Sequence, residues 1–483
     1  MFGDPNAVVT DVSHDSRRAG VGSLFVAVRG ELFDAHKFVP QVIAQGALGV
    51  ISEQAPTADL LSGESQSVAP AWIQVEDVRR AMALAAAEVQ HHPSKELNLV
   101  GITGTNGKTT TAYLIASIPE AAGEPVAMTG TVEYRLGSKR FKADRTTPEA
   151  TDMQRMLRQA VEIGCKTAVM EASSQAMDFH RCDALEYAVA VFSNLTRDHL
   201  DYHKTMENYW FAKQRLFDGR LGTRPRVSVI NLDDPYGVEL AERLQREGLR
   251  VVSYAVKAEA DITAQDPQFS LAGMRFNLRT PAGNRDFHSP LVGPPHIYNT
   301  LAAVASGLAL EYSLNIITSA LEKCTGAPGR FERVPHDGDF AVVVDYAHSD
   351  DALLNVLRTA REVTQGRIIT VFGCGGDRDG SKRAPMGEAA GSLSDVVILT
   401  SDNPRTEDPE KILAEVEVGL QKSGKPYRKL ADRREAIHQA ISEARSNDLV
   451  LIAGKGHEDY QIIGREVFHF DDKEIAREAL EAR

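Results

Sequence analysis

Short aliphatic and β-branched runs alternate with amphipathic stretches along almost the whole chain. Near-continuous apolar runs separated by segments of helical period pack as parallel sheets covered by helices, so the fold class is α/β. The pattern is cleanest at the end of the chain, in the runs 340–346, 367–372, 395–400 and 448–454. Each of these runs leads into a polar loop. Open α/β sheets bind ligands at the carboxyl ends of their strands, so those loops are where function is to be sought.

The 483 residues exceed one core, and at roughly 150 residues per domain they imply about three. The turn-prone HHPSKE sets one boundary near residue 97, and the Gly/Pro-rich TGAPGRFERVP sets another near 333. The expected domains are 1–97, 98–332 and 333–483. The first holds strands at 23–28, 49–52 and 72–75 and a helix at 79–90. The second holds LNLVGIT, 167–172, 187–193, 227–231 and 251–256. An antiparallel excursion follows, up to about Pro290, and a helix at 301–312 closes the segment.

The 54 Lys and Arg against 67 Asp and Glu give a net charge of −13, which repels polyanions. No basic patch offsets it, so neither a nucleic-acid partner nor an anionic membrane surface is expected. No run reaches the ~18 apolar residues of a membrane span, and MFGDPNAVVTDVS lacks the features of a signal peptide, so a cytoplasmic location is expected. Cys165, Cys182, Cys324 and Cys374 show no C-x-x-C spacing and read as incidental thiols.

The strongest local signal is LVGIT followed by GTNGKTTTAYLIASI, a strand, a glycine-rich turn and a helix. Such a turn aims backbone N–H groups and the positive end of the helix dipole at a phosphate chain. Lys108 then reaches the β/γ oxygens and Thr109 the Mg²⁺. The spacing departs from G-x-x-x-x-G-K-[ST], because Gly104 and Gly101 precede Gly107. Glu171 ends the strand of TAVMEASSQ, and Arg197-Asp198-His199-Leu200-Asp201-Tyr202-His203 follows VAVFSN. A carboxylate and a histidine at strand ends can complete the coordination of one or two Mg²⁺ ions. His199 and His203 also stand at i, i+4, the spacing of a zinc pair, but no third soft ligand is nearby. Asp198 and Asp201 also fit a plain capping role. In MENYWFAKQRLFD the apolar face includes Tyr209, Phe211, Leu216 and Phe217, and helical period alone leaves Lys213 a surface lysine.

GTNGKTT, TTPE at 146–149, EASSQ at 171–175, SNLTRDHLDYH at 193–203, YWFAKQRLF at 209–217, GRFE at 329–332, DYAHS at 345–349, GCGGDRD at 373–379, DNPR at 402–405 and AGKGHE at 453–458 occur in this order. Together they resemble the Mur ligases over essentially the whole chain. The resemblance implies a central P-loop domain, a C-terminal Rossmann-like domain, and a cytoplasmic step of peptidoglycan precursor synthesis. It implies that ATP phosphorylates a substrate carboxylate and that an incoming amino group attacks the acyl phosphate. The implied ATP contacts are Gly104, Thr105, Asn106, Gly107, Lys108, Thr109, Thr110, Asn299, Arg330, Asp345 and His348. Lys108, Lys213, His199 and Glu171 are the implied catalytic group. Thr109, Glu171 and His199 would hold Mg²⁺, joined by Lys213 after its carbamylation by CO₂ to N6-carboxylysine.

The nucleotide-sugar substrate implied is UDP-N-acetylmuramoyl-L-alanyl-D-glutamate, with Ser16 in HDSRRAGVGSLFVAVRG at its uridine end and Thr146, Thr147, Ser173 and Arg181 at its peptide end. Gln175 stands where many members have His, and Phe179 where a Gln is common, so both are left out of the site. DYAHSD also departs from the more frequent Y-A-H-T-P form.

Asn403-Pro404 reads as a turn, and Asp408 as an N-cap with Pro409 behind it, but neither accounts for Arg405. A guanidinium fork matches a carboxylate in two parallel hydrogen bonds, and meso-diaminopimelate differs from lysine by one carboxylate. Within the family, D-N-P-R resembles the diaminopimelate adders, which implies contacts from Arg378, Asp402, Asn403, Pro404, Arg405, Gly454 and Glu458. The rivals are L-lysine addition, a folylpolyglutamate-type ligase and a P-loop kinase or regulatory NTPase. A monomer is expected.

Overall fold

The computed structural model describes residues 6–30, 34–56 and 70–483. Its first sheet holds β1 (Asp11–Ser13), β2 (Ser23–Val26), β3 (Gly49–Ser52) and β4 (Ala71–Gln74), all parallel and in sequence order. All four residues of β2 are buried because successive side chains point to opposite faces. Leu24 and Val26 meet Met82 and Ala86 of the helix Val78–Val89, while Phe25 meets Val39 and Val42 on the other side. Asp77 starts that helix by accepting the N–H groups of Arg79 and Arg80.

The second sheet has eleven strands. They are β5 (Asn98–Thr103), β6 (Val126–Thr129), β7 (Glu133–Leu136), β8 (Lys139–Lys142), β9 (Thr167–Glu171), β10 (Val189–Phe192), β11 (Val227–Asn231), β12 (Val251–Ala255), β13 (Ile262–Ser270), β14 (Gly273–Thr280) and β15 (Gly283–Ser289). Their order is β15-β14-β13-β12-β11-β10-β5-β9-β6-β7-β8. The middle is parallel, and each edge ends in antiparallel strands. Because β5 lies between β9 and β10, the loops that follow these three strands come side by side.

The expected antiparallel excursion corresponds to β13–β15. The hairpin β7–β8 has no counterpart in the sequence reading, since half of EYRLGSKRFK is charged and all of β8 is exposed. The helix expected at 301–312 runs from Pro294 to Ala309 instead, because Pro294 occupies its first turn, where no N–H is needed.

The third sheet holds β16 (Glu332–Arg333), β17 (Ala341–Asp345), β18 (Ile368–Phe372), β19 (Val396–Leu399), β20 (Tyr427–Lys429) and β21 (Leu449–Ala453) in the order β16-β17-β21-β18-β19-β20. Only β16 is antiparallel to its neighbour. In β21, Leu449, Leu451 and Ala453 enter one helix-covered core, and Val450 and Ile452 the other. A small hairpin, β22 (Tyr460–Ile463) and β23 (Glu466–His469), follows. Among the described residues no helix is long and apolar enough to cross a membrane.

Polar contacts join the sheets. Arg155 donates to Asp11 at 2.9 Å and to the carbonyl of Val12 at 2.6 Å. Asp351 accepts from Asn106 Nδ2 at 3.3 Å and from the Thr196 hydroxyl at 3.2 Å. Within the third sheet's surroundings, Arg433 and Asp472 form a wholly buried ion pair at 2.6 Å, and the guanidinium also donates to the carbonyls of Ala453 and Ser401. Removing one partner leaves the other charge buried and unpaired. Arg433→Ala is therefore expected to lower stability by about 3–5 kcal/mol, read by denaturant unfolding; a loss under about 1 kcal/mol would contradict this account.

Candidate functional site

β5 delivers the chain to Gly104-Thr105-Asn106-Gly107, and the helix Lys108–Ala121 starts at once. Gly107 has φ 87°, and a Cβ there would stand 2.4 Å from Asn299 Oδ1. At Gly104 a Cβ would stand 1.9 Å from Ser193 Oγ. Both positions admit only glycine, for shape as well as for backbone conformation. Asn194 Oδ1 accepts the N–H of Asn106 at 2.9 Å, which fixes the turn to the loop after β10. The helix start offers unpaired N–H groups and the positive dipole end, an anion site by construction.

Lys108 Nζ donates to the carbonyls of Gly104 and Thr105, both at 2.9 Å. Lys213 Nζ donates to the same Gly104 carbonyl at 2.8 Å and lies 4.5 Å from the centre of the Tyr209 ring. Helical period alone leaves Lys213 on the surface, yet the structure buries it at 1% exposure. Phe211, read as part of the apolar face, is instead 61% exposed, and Trp210 takes its place in the core. The helix Met206–Asp218 is covered on two sides, so its buried arc is wider than the apolar residues show. Burial first, and then the Lys108 charge, pushes the Lys213 ammonium well below its usual range. Burial likewise lowers Lys108.

Glu171 ends β9, buried, and accepts from the Thr109 hydroxyl at 3.0 Å, the Thr131 N–H at 2.8 Å and the Thr131 hydroxyl at 3.2 Å. His199, left-handed at φ 53°, caps the short helix Leu200–His203, and burial lowers its pKa and favours neutral imidazole. Asp198 accepts the N–H of His199 at 2.8 Å. His203 does not face a metal with His199, because its Nε2 meets the Ser174 hydroxyl at 2.8 Å.

A cavity of about 140 Å³ adjoins the turn, lined by Asn106, Gly107, Thr109, Thr110, His296, Arg330 and Asp345 among others. Asn299 stands behind it, accepting from the Thr111 hydroxyl at 3.3 Å. Asp345 ends β17 and accepts the N–H groups of Phe331 and Ala347 at 2.7 and 2.8 Å, while burial raises its pKa. The sequence reading gives His296 no role, because the helix expected at 301–312 starts after it, whereas the observed helix begins at Pro294. Burial and then Arg330 lower its pKa to about 4, leaving a neutral ring.

A larger cavity, about 790 Å³, lies between the loop after β10 and the strand ends of the third sheet. His199, His348, Arg378, Asp402, Asn403, Arg405, Gly454 and Glu458 line it; Pro404 does not. Arg405 adopts a left-handed backbone, φ 51°, and its Nη1 donates to the Gly376 carbonyl at 2.8 Å. An arginine in that conformation costs about 1–3 kcal/mol, which this loop sustains through the Arg405 N–H on the Ile462 carbonyl and the Gly464 N–H on the Arg405 carbonyl. Asp408 caps the next helix through the Glu410 N–H, with Pro409 behind it.

Thr147 donates to the Glu171 carbonyl at 2.6 Å, and Ser173 caps the helix Ser174–Asp178. Arg181 pairs with Glu149 at 2.8 Å, and the guanidinium groups of Arg79 and Arg181 lie 5.0 and 5.6 Å from the centre of the Phe179 ring. Gln175 is half-buried on the helix that Ser173 caps. Thr146 lines a third cavity, about 550 Å³, with Tyr346, His457 and Glu458. Ser16 stands in the turn after β1 and lines none of these three cavities.

The chain belongs to the Mur ligase family, for the Mur ligase middle domain matches residues 102–307 and the Mur ligase glutamate ligase domain matches residues 329–456. A full-length relative is 45% identical over 98% of this chain and 96% of its own: UDP-N-acetylmuramoyl-L-alanyl-D-glutamate--2,6-diaminopimelate ligase of Geobacter sulfurreducens. A solved structure of the same name, 36% identical, covers 98% of this chain and 95% of that one with a TM-score of 0.70. The MurF ligase from Thermotoga maritima in complex with ADP shares the fold, with a TM-score of 0.65 at 17% identity over 99% of both chains.

Gly107→Ala tests the anion site. A methyl group at that φ, against Asn299, is expected to cost about 1–3 kcal/mol and so weaken ATP binding about five- to hundredfold in calorimetry, and unaltered binding would remove the turn from the site.

Proposed function

We propose that the chain is an ATP-dependent ligase that joins meso-2,6-diaminopimelate to UDP-N-acetylmuramoyl-L-alanyl-D-glutamate, a cytoplasmic step of peptidoglycan precursor synthesis. The observation that carries the reading is the Asp402-to-Arg405 loop, which sets a guanidinium and the Glu458 carboxylate in one cavity that also reaches His199 near the glycine turn. The full-length likeness to a ligase named for those substrates supports it.

The reaction brings a carboxylate and a triphosphate together, two anions that repel until cations compensate them. Lys108 and the start of its helix hold the phosphates, the 140 Å³ cavity with Asn299, Arg330 and Asp345 takes the nucleoside, and His348 lines the larger cavity. The nucleotide-sugar substrate lies along Thr146, Thr147, Ser173 and Arg181, with Ser16 at its far end. A substrate carboxylate oxygen takes the γ-phosphoryl group, and ADP leaves. The amine, oriented by Arg378, Asn403, Arg405, Gly454 and Glu458, attacks the acyl carbon. It gives up a proton, and phosphate leaves from the tetrahedral intermediate.

A hard cation fits the oxygen donors present, for a buried carboxylate with a hydroxyl already aimed at it suits Mg²⁺. Thr109, Glu171, His199 and a carbamylated Lys213 would hold it, and when bound it supplies charge compensation between the two anions. Lys213 suits carbamylation because burial favours its neutral amine; that amine forms the new N–C bond to CO₂ and loses one proton, leaving a carbamate anion. The ADP complex of the Thermotoga MurF ligase agrees with use of the same nucleotide.

Phosphate release from ATP, measured with the dipeptide precursor and either diaminopimelate, L-lysine or no amine, tests the reading. Release with diaminopimelate alone, matched by tripeptide product, is expected; release with lysine instead would overturn the role given to Arg405. Arg405→Ala is expected to cost about 2–4 kcal/mol of selectivity between the two amines. Lys213→Ala is expected to lose most activity and regain part of it with added short carboxylates. Full activity without them would return Lys213 to a structural role.

A further inference from the structure

Lys455 is among the largest wholly buried side chains in the protein, at 0% exposure, and the reading above gives it no part. It opens the loop that leaves β21. Its ammonium has three protons, and the structure offers them three acceptors on two different loops. Nζ donates to Asn403 Oδ1 at 3.1 Å, to the Tyr460 carbonyl at 2.6 Å and, more distantly, to Glu458 Oε2 at 3.5 Å. Asp402 Oδ1 lies 3.7 Å away.

Asn403 closes the network. Its Oδ1 also accepts the Ile462 N–H at 2.9 Å, which leaves its Nδ2 to donate to Glu458 Oε2 at 2.9 Å. With Lys455 on the oxygen, the amide has one orientation. The loop of Asp402, Asn403 and Arg405 and the loop of Glu458 are thus tied to one buried charge, and both line the 790 Å³ cavity.

The charges facing Glu458 explain the need. Burial first, and then Asp402, push the Glu458 carboxyl up, toward the protonated form that cannot pair with an ammonium. Lys455 and the Asn403 amide act in the opposite direction. Arg433 adds a further positive charge and Tyr346 and Tyr460 also couple to Glu458, while His457 and Asp459 flank it in the chain and Arg378, Arg405 and His348 share its cavity.

We propose that Lys455 is the positioning residue of amine binding, fixing Asn403 and Glu458 in one arrangement and holding Glu458 ready to receive the distal ammonium of the diamino acid. The inference rests on the amine-binding reading of this cavity. It separates Lys455 from the catalytic group, since the phosphate side of the site does not touch it.

Lys455→Met and Lys455→Gln test it in the full-length protein, Gln keeping a donor and losing the charge. Both are expected to raise KM for diaminopimelate about ten- to hundredfold, Gln less than Met, with KM for ATP unchanged. Hydrogen exchange without any substrate is expected to rise at the Ile462 amide and across 402–405 and 457–463, and nowhere else. Unchanged KM for diaminopimelate, or KM for ATP rising in step with it, would overturn the proposal. Collapse of both variants would overturn it too, because Lys455 would then hold the domain rather than the site. Should the wild-type protein use no diamino acid, the functional reading fails separately, and exchange that stays unchanged would still refute the clamp.

Discussion

Two lysines, Lys213 buried and Lys108 half-buried, share one carbonyl acceptor, and much of the site is arranged around that fact. Lys108 and Lys213 converge on Gly104, and neither forms an ion pair with a carboxylate among the described residues. Desolvated cations side by side are costly unless an anion arrives or one of them loses its charge. The sheet order supplies the place: β5 carries the glycine turn between β9, which ends in Glu171, and β10, which leads to His199. The electrostatic cost is borne where a triphosphate would relieve it.

The third sheet answers the second at a distance. Its strand ends present one face of polar loops, and the cavity between the two faces takes residues from both. Direct fastening comes from Asp351 on Asn106 and Thr196, from the Lys142–Asp459 ion pair at 2.9 Å, and from Arg333 on the Leu271 carbonyl, beside Val292 and Leu271 packed into the third sheet's core. Stiffness also lies within each face. Arg433 sits beneath Ser401 and Ala453, the residues just before Asp402 and Gly454, so two loops of the cavity share one buried foundation.

The parallel strands were legible because their apolar runs are unbroken, as in β21, where both faces are covered. The glycine turn was legible because its residue types leave few alternatives. What escaped was of two kinds. The hairpin β7–β8 is an edge structure rich in charge, and β22–β23 is a separate two-stranded hairpin whose Ile463, Val467 and Phe468 stay exposed, so neither shows the apolar period of a buried strand. Lys213, His296 and Lys455 are polar residues in buried places, and burial of a polar group depends on partners from remote segments that no local window contains. AGKGHE drew notice as a motif, yet only the fold shows that its lysine points inward, toward Asn403. Phe211 is the converse case, an aromatic residue left largely exposed with only the Arg220 guanidinium found over its ring among the described residues.

The edges of the eleven-stranded sheet also govern how copies of this molecule meet. An open sheet leaves unpaired N–H and C=O groups along its outermost strands, a template for another strand. Here one outermost strand is β8, whose Lys139, Arg140 and Lys142 are exposed, and the other is β15, with Asn284, Arg285, Asp286 and His288 exposed. A strand approaching either edge would have to strip water from charged side chains for each backbone hydrogen bond it gained. A wide sheet, which by its size alone would invite stacking into larger aggregates, is thereby closed at both ends by solvation.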